Sequence, residues 1–208
     1  MSSKRLFSVF LLVSFLALTA VSFASDAGNA ATLANLQTAF NGESNAHARY
    51  LAFAKKADTE GYGEIASLFR AAAKAEEIHA NNHAVVIKKL GGKPEAKIET
   101  PDVKTTRENL EAAIKGETYE RDTMYPQFLK QAREVRNTDA IQTFNYAKTA
   151  EAEHAKLYSA ALKNLDKSKG TKAKNFYVCD VCGYTVEKID FAKCPSCFSP
   201  KEKYQTVS

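Results

Sequence analysis

Four long, alanine-rich segments of this chain each carry a glutamate on the stripe of residues that should face a core. The motifs are Gly42-Glu43, Glu76-x-x-His79, Gly116-Glu117-x-x-Glu120 and Glu151-x-x-His154. A carboxylate inside a helical core is costly unless a partner neutralises it. Five such carboxylates and two histidines point to bound cations inside a bundle of four helices.

The stripes advance in helical steps of three and four. The first helix is expected from about Thr32 to Asp58, with Leu33, Leu36, Phe40, Glu43, Tyr50 and Ala54 on one face. The second is expected from about Tyr62 to Leu90, with Ile65, Phe69, Ala72, Glu76, His79, His83 and Val86, and Gly91-Gly92 stops it. A linker with Pro94 and Pro101 covers 93–104, after which Thr105 and Glu108 form a capping box. The third helix presents Leu110, Ala113, Glu117, Glu120, Met124 and Phe128, with a kink expected at Pro126. Asn137 to Asp139 caps the fourth, whose stripe is Ile141, Phe144, Ala147, Glu151, His154, Tyr158 and Ala161. Short connections within each pair and one long crossover between pairs predict an all-α, ferritin-like four-helix bundle. Glu43 precedes Glu76 by 33 residues and Glu117 precedes Glu151 by 34. That echo reads as a duplicated helix pair and predicts a roughly two-fold site.

Residues three apart on a helix share a face, so Glu76 with His79, and Glu151 with His154, can each hold a cation. Glu43 and Glu117 come from the other two helices. This is the ligand pattern of di-iron and di-manganese carboxylate bundles, and the lack of sulfur disfavours structural zinc. Glu120 adds a fifth carboxylate one turn beyond Glu117. Tyr50 and Tyr125 follow Glu43 and Glu117 by seven and eight residues. They are placed either to donate hydrogen bonds to the cluster or to pack in the core. Glu77 and Glu153 fall off the stripe, His83 reads as a packed histidine rather than a ligand, and His47 lies on the flank.

The two ends of the chain read differently. Lys4-Arg5, the apolar run from Leu6 to Ala20 and the small residues around Ala24 read as an export leader over 1–24, leading to the periplasm. The alternative is an uncleaved anchor helix; after cleavage no stable membrane association is expected. The bundle then occupies 25–165, a Lys-rich linker 166–175, and a turn-rich module 176–208. Cys179-x-x-Cys182 and Cys194-x-x-Cys197 in that module predict four thiolates around one metal, iron or zinc, rather than two disulfides. The net charge of +5 is modest and its Lys and Arg are scattered among Glu, which argues against a nucleic-acid partner.

Together these motifs resemble the rubrerythrin family. The resemblance rests on Gly42-Glu43 with Tyr50, on Glu76-x-x-His79, on Gly116-Glu117-x-x-Glu120 followed by Met124-Tyr125-Pro126, and on Glu151-x-x-His154. The tail adds Cys179-x-x-Cys182-Gly183-Tyr184 and Cys194-Pro195-x-Cys197-x-x-Pro200-Lys201. It implies a non-haem di-iron centre held by Glu43, Glu76, His79, Glu117, Glu120, Glu151 and His154, with Glu120 and His79 competing for one iron as the redox state changes. It also implies a rubredoxin-like module whose single iron is held by Cys179, Cys182, Cys194 and Cys197. The implied activity is reduction of hydrogen peroxide to water in oxidative-stress protection, with electrons from a donor protein. The implied assembly is a head-to-tail homodimer that sets one subunit's thiolate-bound iron near the other's di-iron site. The leader, and Phe198 where a small residue is common, depart from the family pattern. The rival reading is an iron-binding, ferroxidase or storage protein with a structural zinc ribbon.

Overall fold

The computed structural model describes residues 6–208, with side chains described from Gly28 onward. The expected leader, 1–24, lies outside the residues whose side chains are described. Among the described residues no helix is long and apolar enough to cross a membrane.

Helix α1 is Leu6–Thr59. It already includes Gly28, ahead of the expected start at Thr32. The physical reason is that Thr32 makes no cap: its hydroxyl donates back to the Gly28 carbonyl (3.0 Å), one turn earlier in the same helix. Helix α2 is Gly63–Lys89, α3 is Thr106–Tyr119, α4 is Tyr125–Glu134 and α5 is Thr138–Lys163. The capping box of Thr105 and Glu108 and the Asn137 cap start α3 and α5.

Between α3 and α4 the backbone does not simply kink. Glu120–Met124 is a turn of π-helix, in which the Tyr125 N–H reaches the Glu120 carbonyl five residues back. Pro126 has no N–H to donate, and its ring would press on the carbonyl four residues earlier; a widened turn relieves both problems. Pro126 then sits in the first turn of α4, where a missing donor costs nothing.

The α2–α3 crossover is laid along α1 by two asparagines. Asn45 Nδ2 donates to the Lys97 carbonyl (2.9 Å), and the Lys97 and Glu99 N–H groups donate to Asn41 Oδ1 (2.9 Å) and Asn45 Oδ1 (2.8 Å). Two hairpins joined by this long crossover make the ferritin-like bundle. Its core has two apolar layers. One holds Tyr50, Phe53, Phe69 and Tyr158, the other Leu36, Ile87, Leu129 and Phe144. Glu43 of α1, Glu76 of α2, Glu117 of α3 and Glu151 of α5 form a belt between these layers.

The C-terminal module is a three-stranded antiparallel sheet of β1 (Phe176–Cys179), β2 (Thr185–Val186) and β3 (Tyr204–Val207), in the order β2-β1-β3. Its linker is strapped to the α1–α2 turn. Gly170 N donates to the Gly61 carbonyl (2.8 Å), and Gly63 N donates to the Thr171 carbonyl (3.1 Å).

Candidate metal centre

Glu43, Glu76, His79, Glu117, Glu151 and His154 are at most 1% exposed. They form two overlapping sets. Glu43, Glu76, His79 and Glu151 each offer a ligand atom within 4.8 Å of the others, and so do Glu76, Glu117, Glu151 and His154. Glu76 and Glu151 belong to both sets, so they can bridge two cations, while Glu43 with His79 and Glu117 with His154 close the ends.

Both imidazoles point Nδ1 inward. His79 Nδ1 lies 2.8 Å from Glu76 Oε2 and 3.1 Å from Glu151 Oε1. His154 Nδ1 lies 2.9 Å from Glu151 Oε2 and 3.4 Å from Glu76 Oε1. One oxygen on each of Glu43, Glu76, Glu117 and Glu151 is buried with no hydrogen-bond partner. An unmet buried carboxylate oxygen is costly, and four converging on one spot fit cation ligands. Four carboxylates also balance two divalent ions. The residues present therefore fit a pair of metals.

Without metal, protons partly take their place. Burial drives the Glu43 and Glu151 carboxyls well above the usual range, and neighbouring carboxylates push the same way. Burial would raise Glu76 too, but hydrogen bonds from His154 and His79 hold it below the usual range. Burial would lower His79, yet Glu76 and Glu43 lift it to about 9. His154 is likewise raised despite its burial, chiefly by Glu117.

Glu120 stands apart. It is half-buried at the start of the π-helical turn and belongs to neither set of four. Burial and the charges of Glu117 and Glu76 raise its carboxyl well above the usual range. Glu77 and Glu153 pair with Lys74 and Lys156 outside the cluster. His47 Nδ1 donates to the Ala73 carbonyl, 2.7 Å away, and takes no part in either set.

The two tyrosines reach the cluster in a crossed pattern. Tyr50 donates to Glu117 Oε1 (2.5 Å), and Tyr125 donates to Glu43 Oε1. Each phenol serves the end glutamate of the opposite half. The spacings of seven and eight residues differ by the one residue that a π-helical turn absorbs, so both phenols keep the same inward aim.

Several participants were not singled out from the sequence. The outer nitrogens of both histidines rest on the cysteine module: His79 Nε2 lies 3.1 Å from the Cys182 carbonyl, and His154 Nε2 lies 3.1 Å from Thr185 Oγ1. Thr185 in turn donates to the Gly183 carbonyl (2.9 Å). The resemblance places this approach between two subunits; here it is made within one chain. Gly183 belongs to the Cys179-x-x-Cys182-Gly183-Tyr184 motif, but nothing local in the sequence signals its contact with α2. His83 was expected to be packed and is fully buried, but it is also hydrogen-bonded to Tyr125 and Thr143.

The four cysteines are free thiols rather than disulfides. Their sulfurs lie 3.7 Å apart for Cys179 and Cys197 and 3.6 Å apart for Cys182 and Cys194. Four sulfurs placed tetrahedrally at about 2.3 Å from a zinc ion would be roughly 3.8 Å apart, so the cage is already the size of a metal site. Tyr204 donates to Cys194 Sγ (3.1 Å), and the hydrogen bond to Cys182 leads the effects that hold the Cys179 thiol down to about 5.

The family model described as Rubrerythrin matches residues 34–162. Nigerythrin from Nitratidesulfovibrio vulgaris is 41% identical over 174 residues, 83% of this chain and 85% of its own. Rubrerythrin-2 from Clostridium acetobutylicum is 38% identical over 184 residues, 85% of this chain and 97% of its own. The solved structure of fully reduced, all-ferrous nigerythrin superposes with a TM-score of 0.77 at 39% identity, over 84% of this chain and 86% of that one.

Proposed function

The chain belongs to the rubrerythrin family, and from that premise we propose that it reduces hydrogen peroxide to water at a pair of iron ions. An all-ferrous state of the related nigerythrin supports iron as the metal. Two ferrous ions in the belt would supply the two electrons that break the O–O bond, one from each. Two protons complete the balance and two waters leave.

The chain's own groups set the conditions for that step. Glu76 and Glu151 reach both metal positions and keep them adjacent. Tyr50 and Tyr125 occupy Oε1 of Glu117 and Glu43, which leaves the unpartnered Oε2 of each free for a metal. The apolar layers on either side exclude bulk water, so every charge in the belt acts at low effective dielectric.

One observation carries the peroxidase reading over a storage reading. Cys182 provides one of the four thiols and also the carbonyl that holds His79 Nε2. A single residue thus joins a site suited to a one-electron carrier to a site suited to two electrons. Iron held by Cys179, Cys182, Cys194 and Cys197 would supply one-electron transfer, taking electrons from a donor protein for the belt.

The test is rapid mixing of the fully reduced protein with peroxide. Oxidation of the belt should far outpace that of free ferrous iron. Protein carrying zinc at the cysteines should complete one turnover and stop. A belt that oxidises no faster than free iron, or a zinc form that keeps turning over, would overturn the proposal.

A further inference from the structure

Besides Glu120, whose counterpart after Glu43 is Ala46, the duplicated halves of the belt differ in a second polar respect. His83 of α2 corresponds to Tyr158 of α5, each four residues beyond a metal-facing histidine. Thr143 of α5 corresponds to Leu68 of α2, each eight residues ahead of a bridging glutamate. At the Tyr158 end the phenol is buried with no hydrogen-bond partner, packed against Tyr50 and Phe69 at ring distances of 5.6 and 5.1 Å. At the His83 end an unbroken polar chain links four helices, α5, α2, α4 and α1. Thr143 Oγ1 lies 2.9 Å from His83 Nδ1, His83 Nε2 lies 3.1 Å from the Tyr125 hydroxyl, and Tyr125 donates to Glu43.

The direction of every bond in that chain follows from the last one. Tyr125 has one proton, and the carboxylate of Glu43 takes it. The phenol oxygen must then accept, so His83 carries its proton on Nε2. Nδ1 is left as an acceptor, and the Thr143 hydroxyl donates to it. Burial, with His79 nearby, keeps the ring uncharged, which agrees with a single ring proton. Among the described residues no such chain stands behind Tyr50 and Glu117.

We propose that His83 and Thr143 are positioning residues that lock Tyr125 as a one-way donor to Glu43, giving the Glu43–His79 metal position a tether that the Glu117–His154 position lacks. The inference rests on the belt holding two metals and not on peroxide being the substrate. Groups that orient a ligand commonly control metal affinity by about 10- to 100-fold.

The chain has four histidines, which makes nitrogen NMR of histidine-labelled, zinc-loaded protein a direct readout. His79 and His154 report occupancy of the two positions separately while a chelator is raised, and His83 reports its own tautomer. His83 should be neutral with its proton on Nε2. His83→Leu should weaken zinc at the His79 position about tenfold and leave the His154 position within about twofold. His83→Gln should restore most of the loss, because its amide can donate to Tyr125 and accept from Thr143. Thr143→Val should give a smaller loss at the same position, and it carries the test should His83→Leu not fold. Tyr158→Phe should move neither position. A His83 proton on Nδ1, equal weakening of both positions, no weakening at all, or a Tyr158→Phe effect matching His83→Leu would each overturn the proposal. None of these readings depends on the peroxide reaction, so a failed peroxidase test leaves them intact.

Discussion

Gly183 and Phe198 hold the same place in the two cysteine knuckles, one residue after the second cysteine. Both have left-handed backbone, with φ of 75° and 60°, and both N–H groups bond back to the first cysteine of their knuckle. Phe198 is 73% exposed, so its side chain meets no obstacle and carries only the backbone cost of that conformation. Phe198→Gly should therefore stabilise the loaded protein by up to about 1 kcal/mol in a denaturant titration. Gly183 has no such latitude, because a Cβ there would lie 2.3 Å from His79 Nε2. His79 also dictates a pH dependence. Its metal-free value of about 9 lies above the ordinary 6.5, so its contribution to folding is complete below pH 6.5 and is lost as pH rises through 9. Thermal melts of the metal-free protein should fall across that window, whereas melts of the metal-loaded protein should not, since metal replaces the proton. Glu76, His79, Glu151 and His154 were legible as a cluster because an acid on an apolar stripe breaks a simple rule. The crossed tyrosine pairing was not, since spacing gives the face of a residue and not which partner lies across the bundle.

At the scale of elements, α3, the π-helical turn and α4 act as one rod whose middle faces the belt, through Glu117 before the turn and Tyr125 after it. The residue count demands the widened turn, and Pro126 only favours its location. Pro126→Ala should thus keep the same metal content and a melting temperature within about 4 °C of the parent, as a change of about 1 kcal/mol would give in a chain of this size. Deleting Thr123, an exposed residue of the turn, should instead rotate Tyr125 by about 100° off the belt. The deletion should bind less than its full pair of metals by elemental analysis. Four helices, their caps and the crossover could be read from periodicity, Gly91-Gly92, Thr105 and Asn137. The turn could not, because counting eight residues from Glu117 to Tyr125 reveals an extra residue without saying how the backbone absorbs it. The first helix begins ahead of the expected start near Thr32, whose hydroxyl bonds backward to Gly28 within the same helix.

For the whole molecule, the decisive relation is between bundle and module, and this was the least legible. Local patterns predict each unit, but Cys182, Gly183 and Thr185 meet α2 and α5 only through tertiary packing across about a hundred residues of chain or, for α5, some thirty. Since the junction is made within one chain, the rate at which electrons return to the belt should not change with dilution. Double-mixing stopped flow across a hundredfold range of protein concentration checks this, and a rate that falls on dilution would mean that the working junction lies between chains. The same junction ties the fate of both histidines to a single short loop. Oxidation of the sulfurs that hold the loop in shape would loosen two imidazoles together, so damage to the tail and release of metal from the bundle would be one event.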